Sequence, residues 1–460
     1  MKAKYFSYTL AILLTTVAGC TKESSDLQPE AKQKITITAG YAETKTYGVE
    51  TIKFHSKDKL TVFDTKGANN VFALPAGAPT PGNAPASFEG EITSGSQPQY
   101  VVYPYDANAS IAGDVMTVTV PAHYAPGNAN SVLRGMNISV GEIVSSEGAY
   151  SAKLMNLCGL VGVEIGSYAI GLKNVKLSAN EPLTGTVSFR YVDGAPVVTG
   201  VAEGHTSVDF DVMRDTKTNL PTAGKFYFSV LPGTYTGLKL TLTLANGQTK
   251  EITTDKPLTV TRGSRTLLPV TLADIQSAPV KRNQVVVELA FYSKGASVLY
   301  YDNEGVKTTL PSASGSELSS SMTFYTDNTI DGVTYSFPFH IISQNNAKYR
   351  YQGGDYMGLD MEPGTDFCIV LPALPGYYLR GFKCAAFNAA YKYKVSNVYG
   401  RENMNETNSV ELTVGANAVG SIKYVTSTFG KTPEILNYIY PMTSTSKLQI
   451  LQVYYEPVTE

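Results

Sequence analysis

The feature that most constrains this chain is an alternation of apolar and polar residues with period two. It is clearest in "LKLTLTLANGQTKEIT", where Leu238, Leu240, Leu242 and Leu244 share one face of an extended strand. The Asn-Gly pair at 246–247 then supplies the favoured two-residue hairpin turn. No stretch combines a sustained helical period with capping residues. The pattern predicts an all-β chain of short strands joined by turns, as in sandwiches and barrels.

Composition excludes several classes of function. Charged residues make up 17% of the 460 residues and the formal net charge is −2, so no nucleic-acid partner is expected. The four histidines, His55, His123, His205 and His340, are scattered without the spacing of a zinc site, so neither a metal nor a cofactor is expected. No Gly-x-Ser-x-Gly nucleophile motif occurs. We therefore expect a protein that is not an enzyme.

The N-terminus has the pattern of an export signal. Lys2 and Lys4 precede an apolar run, Phe6–Val17, that is shorter than the roughly 20 residues needed to span a bilayer. Small residues then lead to Cys20, and "VAGC" resembles the bacterial lipobox. The resemblance implies that residues 1–19 are a lipoprotein signal peptide and that Cys20 carries the lipid, including palmitate, that anchors the protein in the outer membrane. The alternative is a plain signal peptide with a chance cysteine.

The remaining chain divides into a tether and three folded units. Residues 20–33 are polar and predict a flexible tether. A polar break near 145 and a linker at 272–284 then predict two β domains, 34–145 and 146–275, and a third at 280–460. Eighteen of the 31 tyrosines lie beyond residue 280. Alternating tyrosines are typical either of half-buried sheet packing or of an exposed surface that contacts sugars or proteins.

The remaining cysteines allow two interpretations. Cys368 and Cys384 flank two predicted strands around a Pro/Gly turn, so outside the cytoplasm they form either a disulfide or two buried thiols. Cys158 lies in the apolar run "LMNLCGLVGVEI" and is predicted to be a core residue.

Several sequence blocks together resemble the Bacteroidales fimbrillin-like lipoproteins, which are pilins and pilus-accessory proteins. The similarity covers about residues 20–275, and its blocks after the lipobox are "ETKTYG", "FHSKDKLTVFD", "SFEGEI", "YVVYPYDA", "LKNVKLSANEPLTGTVSF", "GKFYFSVLPGTYTGLKLTLTLANG" and "LTVTRGSRTLLPVTL". Phe54 stands where the family has tryptophan, whereas Phe88 and Gly90 match its Phe-x-Gly block. The resemblance implies tandem transthyretin-like β-sandwich domains, here followed by an additional β-rich, sandwich-like C-terminal domain.

The resemblance also implies a mode of assembly. In shaft pilins of the family, an arginine-specific protease removes an N-terminal strand, and a strand of the next subunit fills the groove. Here Lys45 stands at the cleavage position, and the first arginine of the chain is Arg134. Either a protease of other specificity acts at Lys45, or the lipidated strand stays in place. The second outcome favours an anchor or accessory subunit.

Two functions remain open at this point. The first is a cell-surface lipoprotein of the fimbrium, acting as an anchor, accessory or tip subunit in pilus assembly and cell adhesion. Its partners would be the outer membrane, other pilin subunits, and a host protein or glycan contacted by residues 280–460. The alternative is a surface glycan-binding lipoprotein of a polysaccharide-uptake system. A C-terminal segment "LQILQVYYEPVTE" that pairs inside its own sheet would argue against its use as a donor strand.

Overall fold

The computed structural model confirms that the chain is built from β-strands. It describes residues 31–42, 54–78, 80–81, 84–124, 138–165, 170–212, 214–215, 218–221, 224–276, 279, 282–290, 299–301, 307–309, 316–318, 321–343, 349–352, 358–361, 367–386, 391–414, 423–424, 435–442 and 446–458. None of the helices in these ranges is long and apolar enough to cross a membrane.

The strands before residue 271 follow one another at short intervals, as the turn spacing predicts. They are β1 (Lys32–Tyr41), β2 (Lys59–Asp64), β3 (Asn69–Ala73), β4 (Ala86–Thr93), β5 (Pro98–Tyr103), β6 (Ser110–Ala112), β7 (Val115–Val120), β8 (His123–Tyr124), β9 (Ser139–Ser146), β10 (Ala149–Asn156), β11 (Gly159–Ile165), β12 (Leu172–Ser178), β13 (Thr184–Val192), β14 (Ala195–His205), β15 (Ser207–Asp211), β16 (Gly224–Val230), β17 (Gly233–Tyr235), β18 (Leu238–Leu244), β19 (Thr249–Thr254), β20 (Leu258–Val260) and β21 (Arg265–Val270). A single helical turn, α1 (Leu272–Ile275), ends this part of the chain.

The first unit is a sheet closed into a barrel, in the order β1-β10-β9-β5-β2-β3-β4. The first unit extends to Asn156, the last residue of β10, because β9 and β10 form a hairpin that pairs within this sheet. The predicted boundary at 145/146 falls at the end of β9, at the turn of that hairpin. The polar residues there mark a tight turn with Glu147 and Gly148 at positive φ, where the sequence pattern suggested a break between domains.

Gly90 shows why one of the sequence blocks has the form Phe-x-Gly. In β4, Phe88 points into the barrel core, where it is fully buried. A Cβ atom on Gly90 would clash with the ring of Phe72 and the carbonyl of Val71 on β3. Glycine is therefore needed at this position for β3 and β4 to approach closely.

The second unit consists of sheets that pack on one another and on the barrel. A three-stranded sheet, β16-β11-β21, shares one core with the five-stranded sheet β19-β18-β12-β15-β8. A four-stranded sheet, β14-β13-β7-β6, packs its buried face against barrel residues Phe63, Val102 and Val140. Since β7 and β8 come from the chain before β9, the first two units are interlocked and not simply consecutive.

The third unit has two large sheets around one core. Its strands are β22 (Val285–Ala290), β23 (Leu299–Tyr301), β24 (Lys307–Thr309), β25 (Ser316–Leu318), β26 (Met322–Ile330), β27 (Val333–Ile342), β28 (Tyr349–Gln352), β29 (Gly358–Met361), β30 (Cys368–Leu371), β31 (Tyr377–Ala386), β32 (Tyr391–Ser396), β33 (Ser409–Val414), β34 (Lys423–Tyr424), β35 (Asn437–Pro441) and β36 (Ser446–Pro457). One sheet has the order β25-β28-β29-β36-β31-β34, with β22 also pairing β36. The other has the order β24-β23-β26-β27-β30-β35-β32-β33.

Candidate functional site: the N-terminal strand and its slot

The first strand, β1, closes the barrel. It pairs antiparallel with β4 from Lys32 to Ala39 and parallel with β10 from Ile37 to Tyr41. Without β1, both neighbours would become free edges with unpaired backbone groups. Removal of β1 would therefore open the barrel.

The inward-facing residues of β1 fill an apolar slot, which is the gap between β4 and β10 that β1 closes. Ile37 and Ala39 are fully buried and Ile35 nearly so, whereas the intervening Thr36 and Thr38 are exposed. This alternation is the period of a half-buried strand. Burying a side chain such as isoleucine contributes about 1.5–3 kcal/mol, so the slot would strongly favour an extended segment with the same pattern.

An aromatic cluster lies at the C-terminal end of β1. The ring of Tyr41 stacks on Phe54 with centroids 4.8 Å apart, and Phe54 meets Phe88 and Tyr103 edge-on at 5.3 and 5.5 Å. The Tyr103 hydroxyl donates to the Asp58 carboxylate at 3.0 Å. The cluster thus packs Tyr41, at the end of β1, against Phe54. Phe54 is the ring that the other three aromatic side chains of the cluster contact.

Polar contacts at the surface of β1 add little by comparison. Lys34 pairs with Glu89 at 2.7 Å, but both side chains are exposed, and such pairs contribute at most about 1 kcal/mol. The nearby glutamate raises the pKa of Lys34. Past the end of the strand, the Ala42 N–H donates to the Leu154 carbonyl at 2.8 Å. The specificity of the slot therefore comes from its apolar face and its two backbone ladders.

Two of the predicted site residues fall outside the described residues. Cys20, the predicted lipid attachment point, precedes residue 31, and Lys45, the predicted processing position, lies in the range 43–53. The described chain reaches Ala42, three residues before Lys45, directly after the strand that cleavage would release. Lipidation of Cys20 and cleavage at Lys45 remain predictions.

The structure places Cys368 and Cys384 on different sheets and in different core clusters. Cys368 begins β30, whereas Cys384 lies in β31 of the opposite sheet; both are buried, and neither is in a disulfide. Cys158 is buried in the core, as its apolar run predicts, and is not in a disulfide. Burial raises the pKa of Cys158 and of Cys384 to about 12, so neither is a nucleophile at neutral pH.

The C-terminal strand β36 lies in the interior of its sheet. It pairs with β31 from Leu448 to Pro457, and its other edge pairs with β29 and β22. Val453 and Tyr455 are buried in the core of the third unit. A strand paired on both edges is not available as a donor to another subunit.

The tyrosines of the third unit whose side chains the structure describes are buried or half-buried. None of those whose side chains are described is exposed; the buried ones are Tyr377, Tyr391, Tyr393, Tyr438, Tyr440, Tyr454 and Tyr455. Most of these tyrosines therefore serve as sheet packing, and no fully exposed tyrosine occurs among the described side chains of this unit. Among the residues with described placement, no group of three or more His, Cys, Asp or Glu is arranged to hold a metal ion.

A buried histidine that the sequence pattern did not single out joins the second and third units. His340 is fully buried in β27, where its Nε2 donates to the Thr218 carbonyl at 2.8 Å and its Nδ1 accepts from the Thr323 hydroxyl at 3.0 Å. Its only sequence signal is a lone histidine inside the apolar run "FPFHII". Asn219 and Gln276 add further hydrogen bonds across the same interface, to the carbonyls of Ser321 and Ala373 respectively.

Comparison with solved structures finds bacterial surface proteins. A candidate cell adhesion protein from Bacteroides uniformis is 16% identical with a TM-score of 0.32, and one from Bacteroides ovatus is 13% identical with a TM-score of 0.34. The similarity covers 52% and 53% of this chain and 93% of each of theirs. The tip fimbrial protein Mfa3 from Porphyromonas gingivalis, with a C-terminal truncation, is 12% identical with a TM-score of 0.24, over 50% of this chain and 92% of that one.

These neighbours are of the class that the sequence blocks resemble. No family model matches the chain, and the comparison with curated proteins finds no match.

Proposed function

We propose that this chain is a non-enzymatic subunit of a cell-surface fimbrium. It is anchored in the outer membrane through lipid on Cys20 and acts as an anchor, accessory or tip subunit in assembly and adhesion. The observation that carries the proposal is the position of β1. The strand that directly follows the predicted lipidated tether is the one that closes the first barrel. A single segment thereby couples membrane attachment to the integrity of a subunit.

The slot also supplies a means of joining subunits. An incoming strand with apolar residues at alternate positions would satisfy the backbone edges of β4 and β10 and refill the positions of Ile35, Ile37 and Ala39. Exchange requires that β1 first be released, which cleavage at Lys45 would allow. Where the chain stays intact, β1 keeps the slot closed, and the protein ends a fibre at the membrane or joins it through another surface.

The names of the structural neighbours are consistent with this role, but the proposal does not rest on them. They include candidate cell adhesion proteins and fimbrial proteins, and one is a tip subunit. The alternative of a glycan-binding lipoprotein required exposed tyrosines in the third unit, and no described side chain there provides them.

The deciding experiment is N-terminal analysis of the full-length protein recovered from the outer membrane of cells that assemble fimbriae. An acylated N-terminus at Cys20 together with co-purifying pilins supports an anchor or accessory subunit, and an N-terminus near Thr46 supports a processed subunit. The variant Lys45→Ala should abolish the second form, whereas Lys57→Ala, an exposed lysine in the first unit, should not. A protein found without lipid, and never associated with fimbrial subunits, would contradict the proposal.

A further inference from the structure

The long strand β14 leaves one edge of the second unit open. It runs from Ala195 to His205 and pairs with β13, and no other strand in the described part of the chain pairs with it. All residues from Thr199 to His205 are exposed. The free edge therefore presents backbone groups that a further strand could pair with.

The core of the four-stranded sheet is also open at this edge. Val201 lies opposite Val187, which is fully buried, so both point to the core side, yet Val201 is 41% exposed. A register shift near Thr199 brings Val198, opposite the buried Phe189, to the same side. The core cluster that contains Val187 and Phe189 thus ends at a valine exposed to solvent.

The edge lacks the charged residues that usually prevent pairing. From Ala195 to Ala202 the sequence is "APVVTGVA", without a charge, and its outward-facing Val197 is 44% exposed. Isolated edge strands of stable monomers commonly carry lysine or other charged residues at such positions. The uncharged stretch therefore adds no charge repulsion against a pairing strand, and Pro196, near its start, is the one residue in it without a backbone N–H.

A second copy of the same edge fits this surface. A two-fold axis normal to the sheet pairs two copies of β14 antiparallel and keeps the core side of both on one face, so that each Val201 is covered by the other copy. The uncharged segment brings no like charges into direct opposition. At each end, Arg190, on β13 beside Val197, would lie about two strand spacings, or roughly 10 Å, from Glu203 of the other copy, within reach of two long side chains.

We propose that two copies of this protein associate through antiparallel pairing of their β14 edges, giving one continuous eight-stranded sheet with Arg190–Glu203 ion pairs at both ends. The contact is independent of the β1 slot and of whether strand exchange occurs. Because an edge contact buries less area than a standard interface, the dimer is weak and reversible.

Sedimentation velocity of the full-length protein over a concentration series tests the proposal. The expected result is a monomer–dimer equilibrium that Val201→Lys weakens by about tenfold or more, because it places two like charges close together on either side of the two-fold axis, which this register puts at Gly200. Thr253→Lys, on the exposed edge strand β19 of the other sheet, is the matched control and should leave the dimer unchanged.

A charge exchange separates this contact from a loss of folding. Glu203→Arg should weaken the dimer, and adding Arg190→Glu should restore it, since the exchanged pair has the same geometry. Each variant's thermal unfolding provides the folding control. The proposal would be overturned if the protein is a monomer at every concentration or if the dimer is insensitive to Val201→Lys. It would also be overturned if the protein is recovered with a different protein bound at the β14 edge.

Discussion

Ile37 of β1 lies directly opposite Phe88 of β4, and both side chains are completely buried in the first barrel. The predicted tether begins at Cys20, seventeen residues before Ile37, and the pairing partner Phe88 belongs to the Phe-x-Gly block. The contact therefore ties the strand that follows the predicted tether to the core of the barrel. Because β1 joins β4 to β10, release of β1 would open the barrel.

Replacing Ile37 with alanine should lower the free energy of unfolding by about 2–5 kcal/mol, because it leaves a cavity beneath Phe88. Thr38→Ala is the control. Its hydroxyl makes only an exposed 3.3 Å contact with Ser87, so its effect should stay within about 0.5 kcal/mol. Urea denaturation of the full-length protein measures both. Equal effects of the two substitutions would show that β1 is not packed in the slot.

His340 should make the protein less stable in acid. Burial, the largest cause, together with the nearby Arg214 lowers its pKa from 6.5 to about 3, while the hydrogen bond to Thr218 acts in the opposite direction. Between these two values the unfolded chain binds a proton that the folded chain excludes. Stability from this group is therefore present above pH 6.5 and is lost as the pH falls below it, by about 1.4 kcal/mol per pH unit.

The variant His340→Gln isolates this contribution, because its amide can still donate to the Thr218 carbonyl but does not titrate. Urea unfolding at several pH values between 4.5 and 7 should give a smaller loss of stability for the variant than for the wild type. Carboxylate titration affects both proteins equally and cancels in the difference. Identical slopes would contradict a buried neutral histidine.

The strands themselves were predictable from local pattern, and their partners were not. Leu238, Leu240, Leu242 and Leu244 are buried in alternation as the sequence predicts, and the turn that follows has Gly247 at positive φ. Both depend only on neighbouring residues. The tandem sandwich arrangement of the first two units depends on distant pairing, and their observed interlocking through β7 and β8 has no local signal.

The candidate site shows the same limit. The alternation in "KITITAG" is that of any half-buried strand, and nothing in it indicates parallel pairing with β10, more than a hundred residues away. Likewise, "LQILQVYYEP" would read the same on a sheet edge or in its interior. A strand's position within a sheet follows from the closure of long loops, which sequence period does not encode.

The thiols should be unreactive in the native protein. Cys158, Cys368 and Cys384 are buried and not in disulfides, and burial raises the pKa of Cys158 and Cys384 to about 12. A thiol-specific reagent should therefore modify none of them in buffer and all three in denaturant, as read by intact mass. Modification of only one cysteine in denaturant without reductant would indicate a Cys368–Cys384 disulfide instead.

Removing β36 should destroy the third unit and not merely abolish assembly. A chain ending at Met442 lacks the strand that joins β29 and β22 to β31, together with buried Val453 and with Tyr455, whose hydroxyl donates to the Pro372 carbonyl at 2.6 Å. We expect rapid protease digestion of residues 280–442, while fragments of the first two units persist. A chain shortened only by residues 459–460, which follow the described end of β36, is the control. A truncated protein that stays protease-resistant while failing to join fimbriae would show instead that β36 is a detachable donor strand.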